Sequence, residues 1–234
     1  MQARRQETSR SKALLFVRHG ESVANAGGVT MAHADIPLSA RGRAQALALA
    51  ERLEVEPAEI LVSSYLRAQE TARPFCDRHG LEGRTHALVH EFSSLDPALL
   101  EGMTGEQRRP LADAYWRAAQ PGARHGPAAE TFEEFDARVA AFIAQMPALG
   151  DRTVVFGHGI WIGLLCWKLS GFGARTSAEM RAFRRFQTGL PMPNGAVYVV
   201  EDAGDGAWRW RPHESLVQAV AQQGDPSLPQ PLAP

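Results

Sequence analysis

An α/β fold with a mainly parallel central sheet and helices on both faces is predicted by three observations. Short runs dense in β-branched or apolar residues recur at 13–17, 60–62, 85–89, 152–156 and 196–200. The stretches between them carry helical spacing, and strands alternating with helices bury a parallel sheet from both sides. No internal repeat and no linker divides the 234 residues. One domain over 12–221 is therefore expected, with a polar, aperiodic tail at 1–11 and a proline-rich tail at 222–234.

The elements follow in order. Ala13–Val17 (ALLFV) is the first strand. Ser39 is an N-cap candidate ahead of Leu47, Leu49 and Leu53, which mark the first helix. Ile60–Val62 is the second strand, Tyr65–Ala72 opens a helix that carries Arg67, and Thr85–Val89 is the third strand. Thr131 precedes Phe132, Phe135, Val139 and Phe142, spaced three and four apart on a further helix. Arg152–Phe156 and Ala196–Val200 complete the strands, and the segment 102–126 is expected to form an insertion that covers the site. Trp161 and Trp167 fall in a core-like helix, and Trp208 and Trp210 alternate as on a strand, so packing is the expected use of all four.

Composition removes several function classes. The 25 basic and 26 acidic side chains leave a formal charge of -1, which gives no global electrostatic case for nucleic acid or for a polybasic membrane contact. The longest apolar run, 160–169, is far short of a membrane span. The apolar stretch after Arg4, Arg5, Arg10 and Lys12 is too short for a signal-peptide core, so a cytoplasmic address is expected. The two cysteines, Cys76 and Cys166, sit in apolar helical stretches and read as buried free thiols. No His-Glu-x-x-His or similar ligand spacing occurs, and neither a metal nor a cofactor is expected.

Chemistry collects where the strands end, because ligands of open α/β sheets bind beyond the carboxyl ends of the strands. The first strand runs into Arg18-His19-Gly20-Glu21-Ser22, the second into Ser63-Ser64 and then Arg67, the third into His90-Glu91, and the fourth into Gly157-His158-Gly159. Guanidinium forks suit the oxygens of a tetrahedral oxyanion, which points to phosphate. A neutral imidazole is a nucleophile toward phosphorus, and a second, protonated imidazole would stabilise the equatorial oxygens. A carboxylate would protonate the leaving alcohol and then activate water. Taken singly, Arg67 would pair with Glu70 or Glu59, and His33, His79, His86, His125 and His213, which converge on nothing in the sequence, read as surface groups.

Arg18-His19-Gly20-Glu21-Ser22 with Asn25 resembles the signature of the histidine phosphatase superfamily, the phosphoglycerate-mutase-like enzymes that pass phosphate through a phosphohistidine. Asp35-Ile36-Pro37-Leu38-Ser39 with Gly42, Ser63–Ala68 with Glu70-Thr71-Ala72, Gly157-His158-Gly159 and Asn194-Gly195 resemble its further blocks in order, over about residues 12–202. The resemblance implies a phosphoglycerate-mutase-like fold, His19 as nucleophile, and a phosphate pocket of Arg18, Arg67 and His158 to which Asn25 adds a hydrogen bond. It implies Glu91 as the proton donor, with Glu101, Asp96 and Glu21 as alternatives because 92–100 departs from the family pattern.

Nothing in 92–105 resembles the Tyr-Gly-Gly-rich stretch of the mutases. The expected activity is therefore phosphomonoester hydrolysis of the histidine acid type. Phosphoglycerate-mutase-type transfer is the runner-up, and a catalytically inactive phospho-ligand scaffold is the third reading. The expected partner is a small phosphorylated metabolite or a phosphohistidine protein. Arg108, Arg109, Arg117 and Arg124 in the insertion select an acidic ester on one reading and form a solvated face on the other.

Overall fold

Six strands form one sheet in the order β3-β2-β4-β1-β5-β6 in a computed structural model that describes residues 12–29, 32–204, 206–214, 216, 220 and 222–223. The expected tail at 1–11 and all but two residues of the tail at 222–234 lie outside the described residues. β1 (Ala13–Arg18), β2 (Ile60–Val62), β3 (Gly83–Thr85) and β4 (Thr153–Gly157) run parallel, while β5 (Val197–Gly204) and β6 (Ala207–Pro212) add an antiparallel edge.

The apolar strand runs work because alternate residues face opposite layers. Leu14, Phe16, Leu61 and Val155 join one core with α5 (Phe132–Gln145), α6 (Gly159–Leu169) and α7 (Ser177–Gly189). Leu15, Val17, Ile60, Val62, Val154 and Phe156 join a second core under α1 (Ala40–Arg52) and α2 (Leu66–His79). Ser39 caps α1 as predicted, its side chain accepting from Gly42 N–H, and Thr131 caps α5 in a reciprocal capping box with Glu134. Trp161 and Trp167 are buried in the first core, Trp208 and Trp210 lean on it from β6, and both cysteines are free and buried.

One expectation needs correction. The third strand ends at Thr85, not Val89: His86 N–H bonds to Val62 O, its ring accepts from Leu88 N–H, and Ala87–Val89 becomes a 3₁₀ turn. A local side-chain cap has won over the apolar run. β6 is a sixth strand, paired with β5 through an irregularity at Asp202/Gly204. The segment 102–126 holds α4 (Gly105–Ala118), preceded by the short α3 (Pro97–Leu100), and its Tyr115 and Trp116 are buried in the first core.

Candidate active site

Register sets the centre of the site. Arg18 at the end of β1 pairs with Gly157 at the end of β4, so the next residues, His19 and His158, emerge side by side with ring centroids 5.2 Å apart. His19 N–H bonds to Gly157 O, and its carbonyl accepts from Gly195 N–H and Asn194 Nδ2. The nucleophile candidate is thus held from three sides. The loop that follows lies hard against the start of α1: a Cβ on Gly42 would stand 1.9 Å from Glu21 O, and one on Gly20 would stand 2.6 Å from Gly42 O.

Hydrogen bonding fixes the His19 tautomer. Nδ1–H donates to Gly20 O at 2.6 Å, and Nε2 accepts from Arg67 Nε at 3.2 Å, so the lone pair lies on Nε2. Burial, then the charges of Arg67 and Arg18, push the His19 pKa well below 6.5. The ring is a neutral nucleophile. Arg67 is not paired with Glu70 or Glu59. Its Nη1 donates to His33 O at 2.8 Å, Glu70 accepts from Leu38 N–H, and Glu59 pairs with Arg84.

Arg18 gives one Nη1 hydrogen bond to Met192 O, and its Nε is buried with no partner among the described residues. Room for it depends on Gly159, where a Cβ would stand 3.2 Å from Arg18 Nε. Burial, then Arg67 and His19, hold the His158 pKa well below 6.5. Its Nε2 bonds with Ser63 Oγ at 2.8 Å and its Nδ1 is buried without a partner among the described residues.

Glu91 reaches the site through a braced segment. Arg138 of α5, paired with Glu130, donates to Leu88 O and His90 O, and Trp161 Nε1 also donates to Leu88 O. The Glu91 carboxylate then sits on the N-terminus of α6, accepting from Ile160, Trp161 and Phe92 N–H. Of the four carboxylates considered, only Glu91 lines the cavity. Glu21 bonds with Ser39 and pairs with Arg41, Asp96 caps α3 and accepts from Ala128 N–H, and Glu101 is exposed.

A cavity of about 420 Å³ is lined by Arg18, His19, Asn25, Arg67, Glu91 and Arg108, with apolar walls from Ile36, Ile160 and Met192, while His158 lies buried behind His19. Asn25 is exposed at its rim and tied to Asn194 Nδ2 at 3.2 Å. Arg108 reaches in from α4, Arg117 is exposed, and Arg124 is tied to Glu134 outside the cavity. His33, read from sequence as a surface group, lines the cavity too. So do Gln187 and Thr188 of α7, whose residue types and spacing carry no chemical signal. The start of α7 did carry one: Thr176 and Glu179 form a capping box. Among the described residues no group of three or more His, Cys, Asp or Glu is placed to hold a metal ion, and no helix is long and apolar enough to cross a membrane.

The sequence profile of the family described as histidine phosphatase superfamily (branch 1) matches residues 14–211. The chain belongs to that superfamily. Among curated relatives, a protein named probable phosphoglycerate mutase GpmB from Yersinia enterocolitica is 28% identical over 209 residues, 83% of this chain and 93% of the relative. One of the same name from an Enterobacter species is 31% identical over 71% of this chain and 78% of its own length. Among solved structures, a mycobacterial glucosyl-3-phosphoglycerate phosphatase is similar with a TM-score of 0.65 and 27% identity, over 87% of this chain and 98% of that one. An alpha-ribazole phosphatase from Shigella flexneri gives 0.65 and 25%, over 86% and 95%. The superfamily's fold, with a mostly parallel six-stranded sheet and helices around it, is the one described above.

Proposed function

We propose that this superfamily member is a phosphomonoesterase of the histidine acid type that works through a phosphohistidine on His19. The observation that carries the reading is the His19 ring itself, neutral by burial, with its lone pair on Nε2 and Arg67 and Arg18 beside it. In the first step His19 Nε2 attacks phosphorus, the ester P–O bond breaks, and Glu91 gives its proton to the departing oxygen. In the second, water attacks phosphorus, the Nε2–P bond breaks, and Glu91 accepts the water's proton as phosphate leaves. Arg18, Arg67 and His158 bind the phosphoryl oxygens, and Asn25 adds a contact at the rim. The reaction as written needs no metal or cofactor.

The cavity of about 420 Å³ suits a small phosphorylated metabolite better than a phosphohistidine protein. Within this reading, the described part of residues 12–221 forms one domain, the segment 102–126 roofs the site through α4, and the free buried thiols favour a cytoplasmic address. The relatives named phosphoglycerate mutase support phosphoryl return to substrate as the second reading. Brief reaction with labelled phosphoester and acid quench should trap an acid-labile label on His19. Release of inorganic phosphate then identifies the phosphatase, whereas label moving between hydroxyls of phosphoglycerate without release identifies the mutase. A label on any other residue overturns both.

A further inference from the structure

Accepting the phosphohistidine reading, we propose that His33 touches the substrate, donating a hydrogen bond from Nε2 to the phosphoryl group of a bound phosphomonoester. The loop that carries it is fastened to the start of α2 by two of its own carbonyls: Ala34 O accepts from Leu66 N–H at 2.8 Å and His33 O accepts from Arg67 Nη1. The same bond therefore orients the phosphate-facing arginine and delivers the imidazole to the cavity wall, where it stands with His19, Arg67 and Arg108.

Ser93 orders the ring nitrogens. His33 Nδ1 lies 3.1 Å from Ser93 Oγ. With Ser93 O–H donating to Nδ1, the ring proton stays on Nε2. Nε2 has no hydrogen-bond partner among the described residues. The Tyr65 ring supports the imidazole, with centroids 5.4 Å apart.

The phosphate site has use for this donor. Arg18 and Arg67 each commit an Nη1 N–H to a backbone carbonyl, and Arg67 Nε is turned to His19, so these bonds fix the directions in which the remaining guanidinium N–H groups point. His33 adds a donor from another side of the cavity without adding charge. It is faced by Arg67 of α2, Arg108 of α4, and His90, Ser93 and Tyr65, and burial followed by Arg67 and Arg108 lowers its pKa to about 3. A neutral donor between two guanidiniums can serve a phosphoryl group without repelling them.

Two amides separate contact from positioning. The side-chain amide of His33→Asn falls near Nδ1 and can keep the bond to Ser93, whereas that of His33→Gln reaches the place of Nε2. Inorganic phosphate binding by calorimetry should weaken on the order of 10–100-fold in His33→Ala and His33→Asn, the range for a hydrogen bond to a charged group, and recover in His33→Gln. KM for p-nitrophenyl phosphate should follow the same order. Recovery in His33→Asn but not His33→Gln assigns the residue to holding Ser93 alone and overturns the contact, as does parental phosphate affinity in all three. Should His33→Ala fail to fold, the two amides carry the test. Trapping on the parent enzyme keeps the premises apart: no acid-labile label on His19 sinks the phosphohistidine reading, while a labelled parent with indifferent His33 variants sinks only His33.

Discussion

The floor of the cavity and its roof are built by different means. The floor, with His19 and Arg18 and with His158 buried beside His19, hangs on the paired ends of β1 and β4, the two strands at the middle of the sheet, and is tightened by glycines that permit backbone contact with the start of α1. The roof, with Arg108 and the α7 residues Gln187 and Thr188, is carried by helices far along the chain, and among the described residues the hydrogen bonds of Arg108 are long, 3.4 Å to Thr104 O and 3.5 Å to Ala24 O. Where the backbone ladder fixes a side chain its chemistry is fixed, and where a helix merely leans over the site its side chains are free to match a substrate. Changes in the floor should therefore act on every substrate, and changes in the roof on some.

The largest effect is expected at the centre of the floor. His19→Ala should lose on the order of 10⁴-fold or more in kcat with every phosphoester, because it removes the imidazole whose Nε2 lone pair is held beside Arg67 in the cavity. Steady-state turnover of an aryl and an alkyl ester checks this, and a variant that retains activity on one of them would break the division between floor and roof.

The same division explains what could be read from the sequence. Arg18, His19, Arg67 and His158 could be found because each follows a strand or opens a helix in a short contiguous block, and strand ends are where such sheets bind ligands. Glu91 was found although the expected strand before it is a 3₁₀ turn, since Arg138 and Trp161 carry the segment to the same place. His33 was missed because nothing within its own loop marks it. Its place is set by bonds to Arg67 and Ser93, 34 and 60 residues away.

Glu91 tests the seam between the two regions. Glu91→Gln should lose about 10²–10⁴-fold in rate with an alkyl phosphate, whose alcohol needs a proton, and far less in phosphoenzyme formation from p-nitrophenyl phosphate. Equal losses on both would remove it from the acid role and return attention to Glu101 or Asp96, neither of which lines the cavity.

Gly42→Ala sharpens the comparison without touching the chemistry. The added methyl would meet Glu21 O at 1.9 Å, backbone against backbone, so the loop after His19 must shift. Overpacking of this kind costs about 1–3 kcal/mol or somewhat more. Denaturant melts should show that loss together with a fall in kcat common to all substrates. A loss of stability with unchanged kcat would mean that the floor tolerates movement of its loop.

Acid should weaken the same region. His19 and His158 are held well below 6.5, and His33 at about 3, in each case chiefly by burial. Once unfolded, these imidazoles take up protons below 6.5, so between 6.5 and about 3 the unfolded state binds more protons than the folded one. Stability is accordingly unaffected by them above 6.5 and is lost as pH falls through that window. Denaturant midpoints at neutral pH and at about pH 5 should show the drop, and His33→Gln should shrink it. A midpoint unchanged by acid would contradict the neutral, buried state of the three rings.

The smallest effect belongs to the roof, and it depends on the substrate. Arg108 is half-buried, its pKa is lowered by burial, and among the described residues its hydrogen bonds go to backbone carbonyls rather than to a carboxylate. A guanidinium held over a cavity in this way has charge to offer a second anionic group on the substrate. Arg108→Ala should raise KM for a phosphoester that also bears a carboxylate by about 10-fold, near 1.4 kcal/mol, and leave KM for p-nitrophenyl phosphate nearly unchanged. Added salt should narrow the difference, since the charge is within reach of solvent. Arg108→Lys, which keeps the charge but loses the planar fork, should fall between the two if carboxylate recognition is bidentate. Equal KM changes on both substrates would mean that Arg108 serves the phosphoryl group itself, and the roof would then act on every substrate as the floor does.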